Sequence, residues 1–241
     1  MDKKEFINTL IGGFESNRLG SCISECKAEK LYEFAKILVE TNKSFNLTSI
    51  TDEKEIILKH FIDCATVLEF IPANSKIIDI GCGAGFPSLP ISILRDDVNV
   101  TSLDSTAKKI GFITSTACAL GLDNISGISM RAEDFAKENR EKFDVSVSRA
   151  VARLNILDEL CLPLTKVGGL FIAMKSSKGE EEYAEAKNGI YKLGAKPERQ
   201  KKESLMLEEL AIEREIYVFK KSSPTPIQYP RNYSQIAKKP L

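Results

Sequence analysis

Between residues 31 and 39 the apolar side chains fall at Leu31, Phe34, Ala35, Leu38 and Val39. That i, i+3, i+4, i+7, i+8 spacing is one face of an amphipathic helix. A second helical stretch is predicted from about Asp52 to Phe70, with Thr51 and Asp52 as N-cap residues and Pro72 and Asn74 marking its end. From Lys76 the pattern changes to short apolar runs: Lys76 to Ile80, Val98 to Leu103, Ile125 to Met130, Phe143 to Ser148 and Gly169 to Met174. Strand-sized runs alternating with helical stretches predict an open parallel sheet with helices on both faces. Their Ile and Val content suits strands covered on both sides. A charged helix from Glu180 to Tyr191 follows, and then Leu205 to Leu210 and Ile212 to Phe219 as two pairing strands, the last antiparallel. The predicted fold is thus a doubly wound α/β sheet of Rossmann-like type. An N-terminal helical subdomain occupies 1–75, the sheet domain 76–221 and a basic proline-rich tail 222–241.

The chain of 241 residues, 43% hydrophobic and 28% charged, has material for a sizeable core and lies outside the disordered, collagen-like and disulfide-scaffold classes. Thirty-four basic residues balance thirty-four acidic ones, so a nucleic acid or membrane partner would have to be held by a local patch. Met-Asp-Lys-Lys-Glu-Phe at the start lacks the apolar core of a signal peptide. The longest uncharged run, Ile80 to Leu94, is too short to span a bilayer, and a cytoplasmic location is expected. Six cysteines without a C-x-x-C pair, and His60 as the one histidine, argue against a metal site and for buried free thiols. The tail carries Lys220, Lys221, Arg231, Lys238 and Lys239 with no acid and four prolines between 220 and 241. It is expected to be extended, either mobile or laid over the surface, and to serve as a solubilising tail or as a phosphate-contacting arm; in the second case its removal should lower RNA affinity and leave cofactor affinity unchanged.

The most informative segment is Ile77 to Pro87, where an apolar strand runs into Gly81-Cys82-Gly83-Ala84-Gly85. An open α/β sheet binds ligands at such a turn, because glycine lets the backbone approach closely and take positive φ. A dinucleotide fingerprint would need Gly or Ala at the sixth position from Gly81, where Phe86 stands, which disfavours hydride transfer. Asp104 closes the next strand, where a carboxylate can accept from both hydroxyls of a ribose. These features resemble the S-adenosylmethionine-dependent methyltransferase fold.

The resemblance narrows further. Asn46-Leu47-Thr48-Ser49, His60-Phe61-Ile62-Asp63, Gly83-Ala84-Gly85-Phe86-Pro87, Asp104-Ser105 with Lys108-Lys109, Ser148-Arg149-Ala150-Val151-Ala152, Tyr229-Pro230-Arg231 and Lys239-Pro240-Leu241 occur in this order along the chain. Together they resemble the RsmG (GidB) family of small-subunit ribosomal RNA guanine-N7 methyltransferases. The chain departs from the family pattern at Cys64 (usually Ser), Ser88 (usually Gly) and Ile110 (commonly Arg). The resemblance implies S-adenosylmethionine as cofactor and N7 of guanine 527 in 16S ribosomal RNA as acceptor. The partner would be the 16S RNA or the small subunit, and the chain would work as a monomer without metal or membrane.

It also implies cofactor contacts at Gly81, Phe86, Ala132, Glu133 and Arg149, to which the reading of the turn and of the strand end adds Gly83, Gly85 and Asp104. Arg149 ends an apolar strand, where a guanidinium must be paired or face a ligand. Internal ion pairing with Asp144 or Glu133 is the alternative. On a helix a histidine is more often a packing or hydrogen-bonding residue than a direct participant, but the resemblance makes His60 and Asp63 candidates for shaping the pocket. Lys108, Lys109, Arg153, Lys175, Lys178 and Arg231 are the expected RNA-contacting rim. Guanine N7 has a lone pair and no proton, so no residue is singled out as a catalytic acid or base. A methyltransferase acting on a small molecule or protein, and a non-enzymatic ribosome assembly factor, remain open readings.

Overall fold

The computed structural model describes residues 1–176 and 178–241. Helices come first: α1 (Lys3–Ser16), α2 (Glu25–Asn42) and α3 (Glu53–Ile56), which continues as a π-helical stretch (Ile57–Ile62) into α4 (Asp63–Ala65). Side chains cap three of these starts, with Asp2 accepting from the Glu5 amide, Ser24 from Lys27 and Asp52 from Glu55. Each satisfies an amide that the first helical turn leaves without a partner. The expected helix at 31–39 is the centre of a longer one, and the expected 52–70 helix changes pitch in its middle.

The sheet comprises β1 (Lys76–Ile80), β2 (Asn99–Asp104), β3 (Ile125–Ser129), β4 (Phe143–Arg149), β5 (Thr165–Lys175), β6 (Ala195–Leu207) and β7 (Leu210–Lys221). Between them lie α5 (Ser88–Leu94), α6 (Ala107–Ala119), α7 (Ala132–Glu138), α8 (Leu154–Cys161) and α9 (Gly179–Lys192). Strand order is β3-β2-β1-β4-β5-β7-β6. The pairs from β3 through β5 are parallel, and β7 is antiparallel to both β5 and β6. The first three strands step outward from β1 and the chain then returns to place β4 on its other side. That reversal leaves a crevice at the carboxyl ends of β1 and β4.

Side chains along β1 alternate between two cores, as the strand period of two requires. Ile77 joins the core under α1, α2, the π-helical stretch, α5 and α6. Ile78 and Ile80 join the one under α7, α8 and α9. Phe34 of α2 is fully buried and meets Phe61, Phe86 and Phe112, so the N-terminal helices share a continuous core with the glycine turn. Burying a side chain of that size stabilises by about 1.5–3 kcal/mol relative to exposing it.

The tail takes one of its two expected courses, laid over the surface, and departs from expectation in its helix and its ion pair. It is laid against the second core and ends in a short helix, α10 (Tyr233–Lys238), while Lys221, Tyr229 and Ile236 are buried. Arg231 binds Glu159 through Nε and Nη2, and Arg140 donates to the carbonyls of Thr225, Pro226 and Tyr229. Prolines exclude long regular structure, but the apolar residues between them find a surface to cover. Deleting 220–241 would therefore open the core as well as remove charge.

Beside this clasp, burial pushes Asp158 up to about 8; its Oδ1 accepts from the Glu159 amide and its Oδ2 has no partner among the described residues. The folded state then holds a proton that the unfolded chain releases near the ordinary carboxylate value. Stability falls as pH rises from about 4 to about 8, and then levels. Asp158→Asn should flatten that part of the curve, measured by urea unfolding at pH 5 and pH 8; an unchanged slope would exclude Asp158 as its source.

No helix among the described residues is long and apolar enough to cross a membrane.

Candidate active site

The turn after β1 is built on glycine. Gly81, Gly83 and Gly85 have φ of +71°, +57° and +88°, a region that residues with a Cβ rarely adopt. A Cβ on Gly85 would lie 2.5 Å from Leu89 Cδ1, and one on Gly81 would collide with Val151. At Gly83 only the Gly81 carbonyl, 3.9 Å away, would be met, so the backbone there borders open space. Gly81 and Cys82 donate to the Leu103 carbonyl at 2.8 and 3.2 Å, tying the turn to the end of β2.

Asp104, at that end, accepts from the Gly83 amide at 3.1 Å and the Thr106 amide at 2.8 Å, with Lys109 Nζ 3.7 Å away. Its carboxylate is thus held at the cavity mouth with lone pairs to spare. Asp79 lies beneath, its Oδ2 accepting from the Ser88 amide at 3.0 Å and its Oδ1 without a partner among the described residues. Burial pushes its carboxyl up to about 7.

Two cavities flank the turn. One of 220 Å³ is bordered by Asp104, Met130, Ala132, Glu133, Val151 and Tyr233. The other, 350 Å³, is bordered by Thr48, His60, Gly83, Phe86, Arg149 and Val151. A third, of 470 Å³, opens on the far side of Ala150 and Val151 and is bordered by Lys59, His60, Arg149, Lys175, Glu182 and Arg214. Ala150 has φ +55° and Val151 is 40% exposed, so a strained corner stands where the three meet.

Arg149 is held from the N-terminal helices. Its Nη1 donates to the Lys59 carbonyl at 2.8 Å and to Asp63 Oδ2 at 2.9 Å, and the guanidinium lies 5.1 Å from the Phe86 ring centre. The other Asp63 oxygen accepts from Arg214 Nε of β7 at 2.9 Å. The internal partner of Arg149 is therefore Asp63, and neither Asp144 nor Glu133. Asp144 instead pairs with Lys166 and accepts from the Lys76 amide.

His60 stacks on Phe86 at 4.1 Å between ring centres and places Nε2 3.2 Å from Thr48 Oγ1. Burial first, and then Arg149, lowers its pKa to about 3, so the ring is neutral at physiological pH. Through Phe86 it packs against the glycine turn. Glu133 is buried in the first turn of α7, beside the smaller cavity.

The expected RNA rim is only partly available. Arg231 is neutralised by buried Glu159, Arg153 by Glu181 and Glu185, and Lys175 is buried against Glu182 and the Ala152 carbonyl. Lys109 faces Asp104. Lys108 and Lys178 are exposed and make no ion pair among the described residues. In each of these pairs a carboxylate is brought close by folding, from a distant segment for Arg153 and Arg231 and from a neighbouring one for Lys109 and Lys175.

The thiols also differ from expectation, since Cys26 and Cys118 are exposed while Cys64, Cys82 and Cys161 are buried. Burial pushes the Cys82 thiol well above its usual range, which makes it a poor nucleophile although it lies in the turn. Arg214 and Tyr233 reach the site without having been singled out. Arg214 lies in the charged alternation Glu213-Arg214-Glu215, which reads as a solvated edge. The available signal was Asp63, an acid in an apolar helix that requires a cation from somewhere.

A parallel sheet reversing at β1/β4, a glycine turn and an acid closing β2 define the Rossmann-like methyltransferase class. Residues 27–210 match the family described as GidB, rRNA small subunit methyltransferase G, and the chain belongs to that family. It is 45% identical over 224 residues to the ribosomal RNA small subunit methyltransferase G of Staphylococcus carnosus, covering 91% of this chain and 92% of that one. Its counterpart in Brevibacillus brevis is 42% identical over 245 residues, with both chains fully covered. Among solved structures, TYW2 of M. jannaschii in complex with AdoMet matches with a TM-score of 0.54 at 13% identity, covering 66% of this chain and 74% of that one, a likeness of fold.

Proposed function

We propose that this chain transfers the methyl group of S-adenosylmethionine to N7 of a guanine, position 527, in 16S ribosomal RNA, in the cytoplasm and as a monomer. The observation that carries the reading is the corner at Ala150 and Val151. On one side lie the glycine turn and Asp104, suited to a nucleoside cofactor; on the other lies a cavity lined by Lys59, Arg149 and Arg214, suited to a nucleotide. The residues fit the cofactor. The Gly83 backbone leaves room for it, Asp104 can accept from the ribose hydroxyls, and Ala132 and Glu133 flank the same cavity.

Bound S-adenosylmethionine supplies a methyl group on a sulfonium, and N7 offers its lone pair without losing a proton. The residues therefore need to align the two and exclude water, which contributes about 7–11 kcal/mol when the reacting atoms are held in register. Neutral His60 agrees with this division of labour, because it packs against the turn and takes no part in proton transfer. Arg214 is the cationic group placed to meet the acceptor nucleotide, while Arg149, anchored by Asp63 and the Lys59 carbonyl, also borders the cavity of the cofactor. Lys108 and Lys178 are the exposed cations that would meet its neighbouring phosphates.

The test is incubation of the purified chain with methyl-labelled S-adenosylmethionine and unmodified small subunits, followed by nucleoside analysis. Label in 7-methylguanosine is expected. Label in another nucleoside, or in protein, would refute the acceptor assignment.

A further inference from the structure

The clasp formed by residues 222–241 holds α10 at a defined place. Arg231 binds Glu159 of α8, Arg140 holds three tail carbonyls, and Ile236 is fully buried in the second core. These fixings bring Tyr233 to the rim of the 220 Å³ cavity, beside Asp104, Arg131, Ala132 and Glu133. The Arg131 guanidinium lies 5.7 Å from its ring centre.

Exposure at this rim is unusual in its distribution. Among the described residues seven large hydrophobic side chains are exposed, and three of them, Met130 at 45%, Val151 at 40% and Tyr233 at 38%, border this one cavity. Scattered apolar exposure needs no explanation, but apolar groups gathered round a cavity that also holds two carboxylates mark a site for a flat, partly polar ligand. The larger neighbouring cavity carries Arg149 and the open Gly83 backbone, which suit a carboxylate and leave the aromatic end of a nucleoside to this one.

Resting on the assignment of S-adenosylmethionine as cofactor, we propose that Tyr233, supported by Met130 and Arg131, forms the wall against which the adenine binds. The C-terminal clasp is then part of the cofactor site and not an RNA arm. Tyr233 is a binding residue; Arg231, Glu159 and Arg140 position it. The expectation that removing the tail spares cofactor affinity is reversed.

The experiment titrates the full chain with S-adenosylhomocysteine and with adenosine by calorimetry. Tyr233→Ala should weaken both by roughly tenfold, in line with the loss of one aromatic–base stack, and Tyr233→Phe should stay within about twofold of wild type. Because the chain has no tryptophan, Tyr233→Trp adds a single reporter whose emission should be quenched saturably by adenosine. That readout does not depend on how well the alanine variant folds. Wild-type affinity in Tyr233→Ala, or unquenched emission in a Tyr233→Trp chain that binds adenosine, would overturn the proposal. A wild-type chain that binds neither compound would overturn the cofactor assignment, and this one with it.

Discussion

Replacing Asp63 with alanine should lower the unfolding free energy by about 3–5 kcal/mol, the cost of removing one partner from a buried ion pair. Asp63 is 1% exposed and is the carboxylate that holds both Arg149 and Arg214. Without it two guanidinium groups are left in a setting that excludes most water, and neither has a second acid within ion-pair distance among the described residues. Asp63→Asn keeps the shape and one acceptor and should fall between the alanine variant and wild type. Urea unfolding of the three proteins at neutral pH measures the effect. The loss should also reach the site, since Arg149 then keeps the Lys59 carbonyl, the His60 ring nitrogen and its contact with Phe86 but no acid. A change below about 1 kcal/mol in Asp63→Ala would mean that the arginines find water or other partners and that Asp63 does not organise the cavity.

The second large effect concerns the cofactor. Asp104→Ala should raise the dissociation constant for S-adenosylmethionine by about a hundredfold. Each hydrogen bond to a charged acceptor is worth roughly 1.5–3 kcal/mol, and a ribose offers two hydroxyls, so the loss reaches at least about 3 kcal/mol. The substitution also frees the Gly83 and Thr106 amides that Asp104 now accepts from, which loosens the turn. Asp104→Asn retains an acceptor and should lose less. Calorimetric titration decides it, with RNA affinity as the control, because the exposed cations Lys108 and Lys178 are untouched. Equal cofactor affinity in wild type and Asp104→Ala would remove Asp104 from the site.

The parts that are local in sequence were legible in it. The apolar period placed α2 and five of the strands, the glycine spacing marked the ligand turn, and Asp104 followed from its place at a strand end. What escaped depends on contacts between distant segments. Arg231 read as a free cation because Glu159, seventy-two residues earlier, became its partner only through packing of the tail on α8. Arg149 was recognised as needing a partner, but Asp63, eighty-six residues away, was not the one expected. Proline density argued against regular structure in the tail and left open that it lies over the surface; the short helix α10 and the burial of Tyr229 and Ile236 in the second core were not legible. Arg214 was invisible because its neighbours in β7 are charged and the pattern there reads as solvent-facing.

The product expected of this chain is 16S ribosomal RNA methylated at N7 of one guanine. The most direct measurement compares that RNA from cells with and without the gene, using borohydride reduction and aniline to cleave at 7-methylguanosine. One cleavage site should be present with the gene, absent without it, and restored by the wild-type chain but not by Asp104→Ala. An identical cleavage pattern in both strains would contradict that expectation.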